Sequence, residues 1–297
     1  MTEPDQTAPA LFLPTLRWLC RKLYHHLPPS ICSWLASSSL GRFSTSWAAP
    51  AGETIYNCDY GLRLKLSRED ALTSGIVHLG HTNPLETELI VKYVRKGDTV
   101  VEVGTYKDGW LALVASGRVG DEGKVICFEP IPEHYEAFKA NIALNARSNV
   151  IAEQMAVSDV EGETDFDMAG TGSSLVCKPS DAAHSIRVKT VSLDGYLAAK
   201  SIPKAQFIII DAEGAEPLIV RGASRLLKEG VNYMIVEVVD EFLRRSNSSA
   251  ADLIQTLVAL GFHPYTITRK GLLKYSPGMA SETLNMFFSK EMTAACV

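Results

Sequence analysis

The chain has no C-x-x-C pair, no G-x-G-x-x-G fingerprint, no surplus of basic charge and no apolar run approaching the roughly 20 residues of a membrane span. Each absence removes a class of function. Cys20, Cys32, Cys58, Cys127, Cys177 and Cys296 are scattered without short Cys/His spacing. That argues against a zinc site or a disulfide framework and for a reducing compartment. The opening residues are polar, with Glu3 and Asp5, and lack the basic start of a secretory signal, so a cytoplasmic location is expected. A net charge of -5 leaves no basic footprint, and nucleic acid is not the expected partner. No internal repeat is visible. What remains is a chain of 297 residues, 46% of them hydrophobic, long enough to bury one sizeable core.

The punctuation of the sequence divides it into three parts. Residues 1–50 read as a helical and linker extension: Phe12, Leu16, Leu19, Leu23 and Leu27 share one helical stripe, with Arg17, Arg21 and His25 repeating beside Lys22 and His26. Such a basic amphipathic helix over 11–27 either packs on its own domain or touches a membrane surface peripherally. Pro28-Pro29 ends it, and the Ser-rich run from Ser37 to Pro50 resembles a linker. Residues 51–83 read as a small β-hairpin, Glu53 to Leu66, and a lead-in. Residues 84–297 carry the main domain, opening with a helix that has Pro84 in its first turn.

From Thr99 onward, apolar strands alternate with amphipathic helices. Strands are predicted at Thr99–Gly104, Lys124–Glu129, Val150–Val157, Gln206–Asp211, Tyr233–Val238 and Phe262–Thr268. This pattern predicts an α/β fold of the Rossmann-like kind: a doubly wound, mostly parallel sheet with ligands at the carboxyl ends of its strands. A last strand, Leu284–Ser289, follows without an intervening helix and is expected to run antiparallel. Two short strands, Glu163–Met168 and Ile186–Val191, flank a polar loop that holds Ser173 and Ser174.

The first strand-turn-strand points to a ligand that carries a ribose. Gly104 and Gly109 free the turn of Cβ obstruction, and Glu129, about 25 residues beyond the first glycine, is placed to accept ribose hydroxyl protons. A dinucleotide pyrophosphate needs closer glycines, and Glu102 just before the turn would repel it. The same carboxylate suits the ammonium of a methionine moiety. S-adenosylmethionine therefore fits better than NAD.

The ordered run of motifs resembles one family. Val100-Val101-Glu102-Val103-Gly104, Phe128-Glu129-Pro130-Ile131-Pro132, Ala156-Val157-Ser158-Asp159, Gly172-Ser173-Ser174-Leu175, Thr190-Val191-Ser192-Leu193-Asp194 and Ile210-Asp211-Ala212-Glu213-Gly214-Ala215-Glu216 are together similar to the FkbM methyltransferases. The likeness spans roughly Pro84 to Glu237. It implies a class I methyltransferase fold, S-adenosylmethionine as cofactor, and a hydroxyl of a carbohydrate, glycolipid or secondary metabolite as acceptor. Two departures stand out. Glu102 replaces the usual Asp, and the turn to Gly109 is one residue longer than the family's Gly-Ala-Asn-x-Gly.

The resemblance also assigns roles. Glu102, Gly104, Tyr106, Gly109, Glu129, Pro130 and Asp211 fall on the cofactor side, and Ala156 with Val157 on the adenine. Asp211 and Glu213, where the fourth strand ends, are candidates to take the acceptor proton or to orient the acceptor hydroxyl. Capping of the following helix is the competing role for Asp211. Glu216 reads as a helix-face residue. Ser173, Ser174 and Glu237 are candidate acceptor contacts, and His78, His81 and His184 alternative bases. Asp211 and Glu237 together also suit Mg²⁺, but with no Asp-Asn pair or other ligand set the sequence assigns no metal site. A noncatalytic scaffold that retains the fold is the alternative function, and an NAD-dependent oxidoreductase a more distant one.

Overall fold

The computed structural model describes residues 52–67, 70, 73–168, 175, 185–279 and 283–292. The basic helix over 11–27, the Ser-rich linker, Ser173, Ser174 and His184 lie outside them. The chain forms two compact units, one comprising residues up to Pro84 together with 140–146, the other the remainder.

In the first unit β1 (Glu53–Asn57) and β2 (Arg63–Ser67) make the expected antiparallel hairpin, with Tyr56 opposite Leu64. Tyr56, Leu62, Leu64 and Leu66 are buried, as period-two alternation demands. Asn145 and Asn141 side chains accept the N–H groups of Arg63 and Lys65, each at 2.8 Å, so the outer edge of β2 is closed to further pairing. The lead-in holds a helix the sequence reading missed, α1 (Thr73–Leu79).

The second unit takes α2 (Pro84–Tyr93) from Leu85 onward, then β3 (Thr99–Val103), α3 (Trp110–Val119), β4 (Lys124–Phe128), α4 (Pro132–Leu144) as far as Lys139, and β5 (Val150–Glu153). Its sheet has eight strands in the order β12-β11-β13-β10-β9-β3-β4-β5. Here β9 is Phe207–Ile210, β10 Tyr233–Glu237, β11 His263–Thr268, β12 Gly271–Lys274 and β13 Asn285–Ser289. The strands from β10 through β5 are all parallel. Val100, Val101, Val125, Ile126 and the whole of β9 are buried on both faces, which is why these strands read as unbroken apolar runs. Each such side chain contributes about 1.5–3 kcal/mol.

The last strand is antiparallel, as expected, and β13 slots between β10 and β11. The edge is β12, paired with β11 and not foreseen. The stretch Val150–Val157 is also not one strand: β5 stops at Glu153, and Ala156–Val157 forms β6 of a separate three-stranded sheet, ordered β6-β8-β7. In that sheet β7 is Gly162–Asp167 and β8 is Ser185–Val191. The reason is burial: β5 has no fully buried residue at its edge position, whereas Ala156 and Val157 are both buried and pair with Thr190 and Val191.

The chain winds from β3 towards β4 on one side and reaches β9 and β10 on the other. The crevice between the carboxyl ends of β3 and β9 is the switch point at which such sheets bind ligands.

Candidate active site

On the β3 side of the crevice, Gly104 follows the strand with φ +86°, and a Cβ there would stand 1.7 Å from the Asp211 carbonyl oxygen. The Asp211 N–H in turn donates to Val103 O at 3.0 Å. Gly104 is thus required by the approach of two strand ends to each other. Gly109, at φ +61°, starts α3; its Cβ would lie 2.1 Å from the Phe138 ring, so α4 fills the room that the sequence reading left for a ligand. Between them Tyr106 adopts a left-handed φ of 60° and sets its ring edge-on against His134, with centroids 4.6 Å apart.

The turn is anchored by the acid at the end of β4. Glu129 Oε2 accepts the Tyr106 N–H and Oε1 the Ile131 N–H, both at 3.0 Å, while His134 Nδ1 lies 3.6 Å away. Pro130 has no N–H, so Ile131 supplies the first donor after the strand. Each carboxylate oxygen keeps a second lone pair for a ligand hydroxyl.

Glu102 is buried in β3 and carries an oxygen, Oε2, with no donor in the protein. Burial pushes its carboxyl well above the usual range, reinforced by the charges of Asp108 and Asp211 and opposed by the Ala112 N–H at the start of α3. A cationic ammonium supplies what this group lacks. Ala156 and Val157 are buried, the latter in the main core. Ser158 and Asp159 do shape a turn: Ser158 Oγ donates to Asp159 Oδ1 at 3.2 Å, and Asp159 pairs with Arg221 at 2.9 Å.

On the other side of the crevice stand the acids after β9 and β10. Asp211, Glu213 and Glu237 each offer a carboxylate oxygen, all within 4.8 Å of one another. Glu237 is buried and Glu213 half-buried, and although Asp211 is exposed as a residue its carboxyl is buried. All three carboxyls are pushed up. Burial is the first cause in each, followed for Asp211 by Glu213, Glu216 and Glu86, and for Glu237 by Asp211, Glu213 and Glu216. Arg245 offsets part of this at Glu213. It stacks on Phe242 at 4.5 Å and its Nη1 donates to Glu213 O at 3.3 Å.

Glu216 is not a helix-face residue. It opens α6 (Glu216–Gly222), is 1% exposed, and accepts the N–H groups of Ala212 at 2.9 Å and Gly214 at 3.0 Å. The loop that carries Asp211 and Glu213 is therefore braced by Glu216, which takes the capping work the sequence reading had offered to Asp211. Glu216 and Arg245 were both missed. The Glu213-x-x-Glu216 spacing before Pro217 was the available signal for the first; nothing in the sequence marks the second. His78 and His81 are engaged locally, through Ser74 O and Asp59 Oδ2, each at 2.7 Å.

A parallel doubly wound sheet whose last strand is inserted antiparallel between β10 and β11, with a carboxylate at the β4 end, defines the class I methyltransferases. The chain belongs to the FkbM methyltransferase family: that domain's model matches residues 102–264. The family's cofactor is S-adenosylmethionine, and Glu129 and the unpartnered oxygen of Glu102 fit its ribose and its ammonium. Membership removes the nicotinamide alternative. The hexuronic acid methyltransferase AglP of Haloferax volcanii is 26% identical over 150 residues, covering 50% of this chain and 59% of that protein. An O-methyltransferase of Thermotoga maritima is similar at 15% identity and TM-score 0.42, covering 81% of this chain and 78% of its own. An O-methyltransferase of Bacillus cereus with bound S-adenosylhomocysteine gives 16%, 0.39, 70% and 80%. Among the described residues no helix is long and apolar enough to cross a membrane.

Proposed function

We propose that the chain is an S-adenosylmethionine-dependent O-methyltransferase acting on a hydroxyl of a carbohydrate or related metabolite. The observation that carries this reading is the convergence of Asp211, Glu213 and Glu237 within 4.8 Å at strand ends adjoining the cofactor edge. The cofactor, when bound, supplies an electrophilic methyl group on a sulfonium. Everything else falls to the chain. Glu129 accepts the ribose hydroxyls, and Glu102 pairs with the ammonium.

An alcohol is a weak nucleophile until its proton leaves, and a positioned carboxylate contributes on the order of 10²–10⁴ to such a step. Asp211, carried by the Glu216-braced loop, would take that proton, and Glu213 and Glu237 would orient the hydroxyl. How the acceptor meets the cofactor would depend on the close approach of the β3 and β9 ends, which the bare Cα of Gly104 permits.

A sugar acid or neutral sugar is the favoured acceptor class, supported by the relative that acts on a hexuronic acid. The test is incubation of the full chain with methyl-labelled S-adenosylmethionine and a panel of uronic acid and neutral glycosides. Label recovered as a methyl ether supports the reading. Label recovered only on nitrogen or carbon, or in a carboxylate ester, overturns it.

A further inference from the structure

Three acids from two adjacent strand ends share one small volume, and their chemistry leaves two of them incomplete. Glu237 is 3% exposed, yet its Oε2 meets no donor. Glu213 Oε2 is likewise buried without a partner. Glu216, the third acid of the loop after β9, is satisfied by backbone N–H groups and is not among the converging oxygens. Buried acceptor oxygens that no protein donor reaches, on acids whose carboxylates converge with that of Asp211, are what an ion with several oxygen ligands requires.

Oxygens that all lie within 4.8 Å of one another are close enough to share one ion with small side-chain adjustment. Carboxylate oxygens alone, with no thiolate or imidazole, select hard cations.

We propose that Asp211, Glu213 and Glu237 bind one hard divalent cation of the magnesium, manganese or calcium type. In the reading above, such an ion would also take the acceptor oxygen and polarise its O–H bond. That role rests on the methyl-transfer reading; cation binding does not.

The test is a Mn²⁺ titration of the chelator-treated full chain, followed by paramagnetic resonance of the free ion, with Asp211→Asn, Glu213→Gln and Glu237→Gln alongside. One Mn²⁺ per chain is expected, displaced by Mg²⁺ or Ca²⁺ and bound at least about tenfold more weakly by each variant. The same ion should raise the thermal midpoint of the parent chain and leave that of Glu237→Gln unmoved. Each variant removes a repelling charge, so loss of fold does not mimic loss of binding; the metal-free midpoints check this. No Mn²⁺ taken up at millimolar concentration, or equal uptake by parent and all three variants, overturns the site. Methyl transfer that persists in chelator, with no Mn²⁺ bound, removes the ion alone. Mn²⁺ bound with no methyl transfer to any acceptor removes the methyl-transfer reading and leaves the ion.

Discussion

The Asp211 carbonyl oxygen occupies the space where a side chain on Gly104 would begin, 1.7 Å from the ideal Cβ position. This contact ties the cofactor side of the crevice to the acceptor side. Gly104→Ala adds both a left-handed strain and a clash with backbone, which has no rotamer to give. Destabilisation of about 3 kcal/mol or more is expected from urea unfolding. A variant within about 0.5 kcal/mol of the parent would show that the two strand ends are not held this closely.

Glu216 braces the acceptor loop through Ala212 and Gly214. Replacing it with Ala leaves two N–H groups without their acceptor, a cost of about 1–3 kcal/mol, while Gln keeps one oxygen and retains part of that stability. Turnover should fall in the same order, parent above Gln above Ala, because Asp211 and Glu213 lose their fixed position. Equal kcat in all three forms would assign Glu216 to stability alone.

Glu102 governs a pH effect whose sign follows from its raised carboxyl. The unfolded chain gives up this proton near the ordinary value of 4.5, the folded chain only at higher pH. The folded state therefore binds more protons between the two, and the stability of the ligand-free protein falls as pH rises through that window. Glu102→Gln should flatten the slope and raise the melting temperature at neutral pH while weakening S-adenosylmethionine binding. An unchanged pH slope in this variant would show that Glu102 does not carry the effect.

Asp211→Asn keeps the size and the backbone contacts of the loop but removes the proton acceptor. The expected kcat loss is about 10²–10⁴, with affinity for S-adenosylhomocysteine within a few-fold of the parent. Full turnover would move the proton to another group.

The sheet was legible because strands buried on both faces, such as Val100–Val103 and Phe207–Ile210, leave continuous apolar runs that only a parallel sheet explains. The acids at their ends were legible because a charge directly after such a run has nowhere to sit but the strand terminus. What escaped was set by contacts remote in sequence. Gly109 looked like space for a ligand until Phe138 was seen to fill it. Glu216 fits a helix period, and only the folded loop shows its carboxylate turned back onto Ala212 and Gly214. β12 is a short run beside a turn, indistinguishable from loop without β11 as its partner. Arg245 reaches Glu213 from the segment after β10, with 31 residues of chain between the two, and no spacing rule records that.

If the crevice holds an adenosyl cofactor through Glu129, calorimetric titration of S-adenosylhomocysteine into the full chain and into Glu129→Gln will show it. One site per chain is expected, with an affinity at least about tenfold lower in the variant, whose amide accepts one N–H but no longer two hydroxyl protons. No binding by the parent chain, or the same affinity in both, would contradict it.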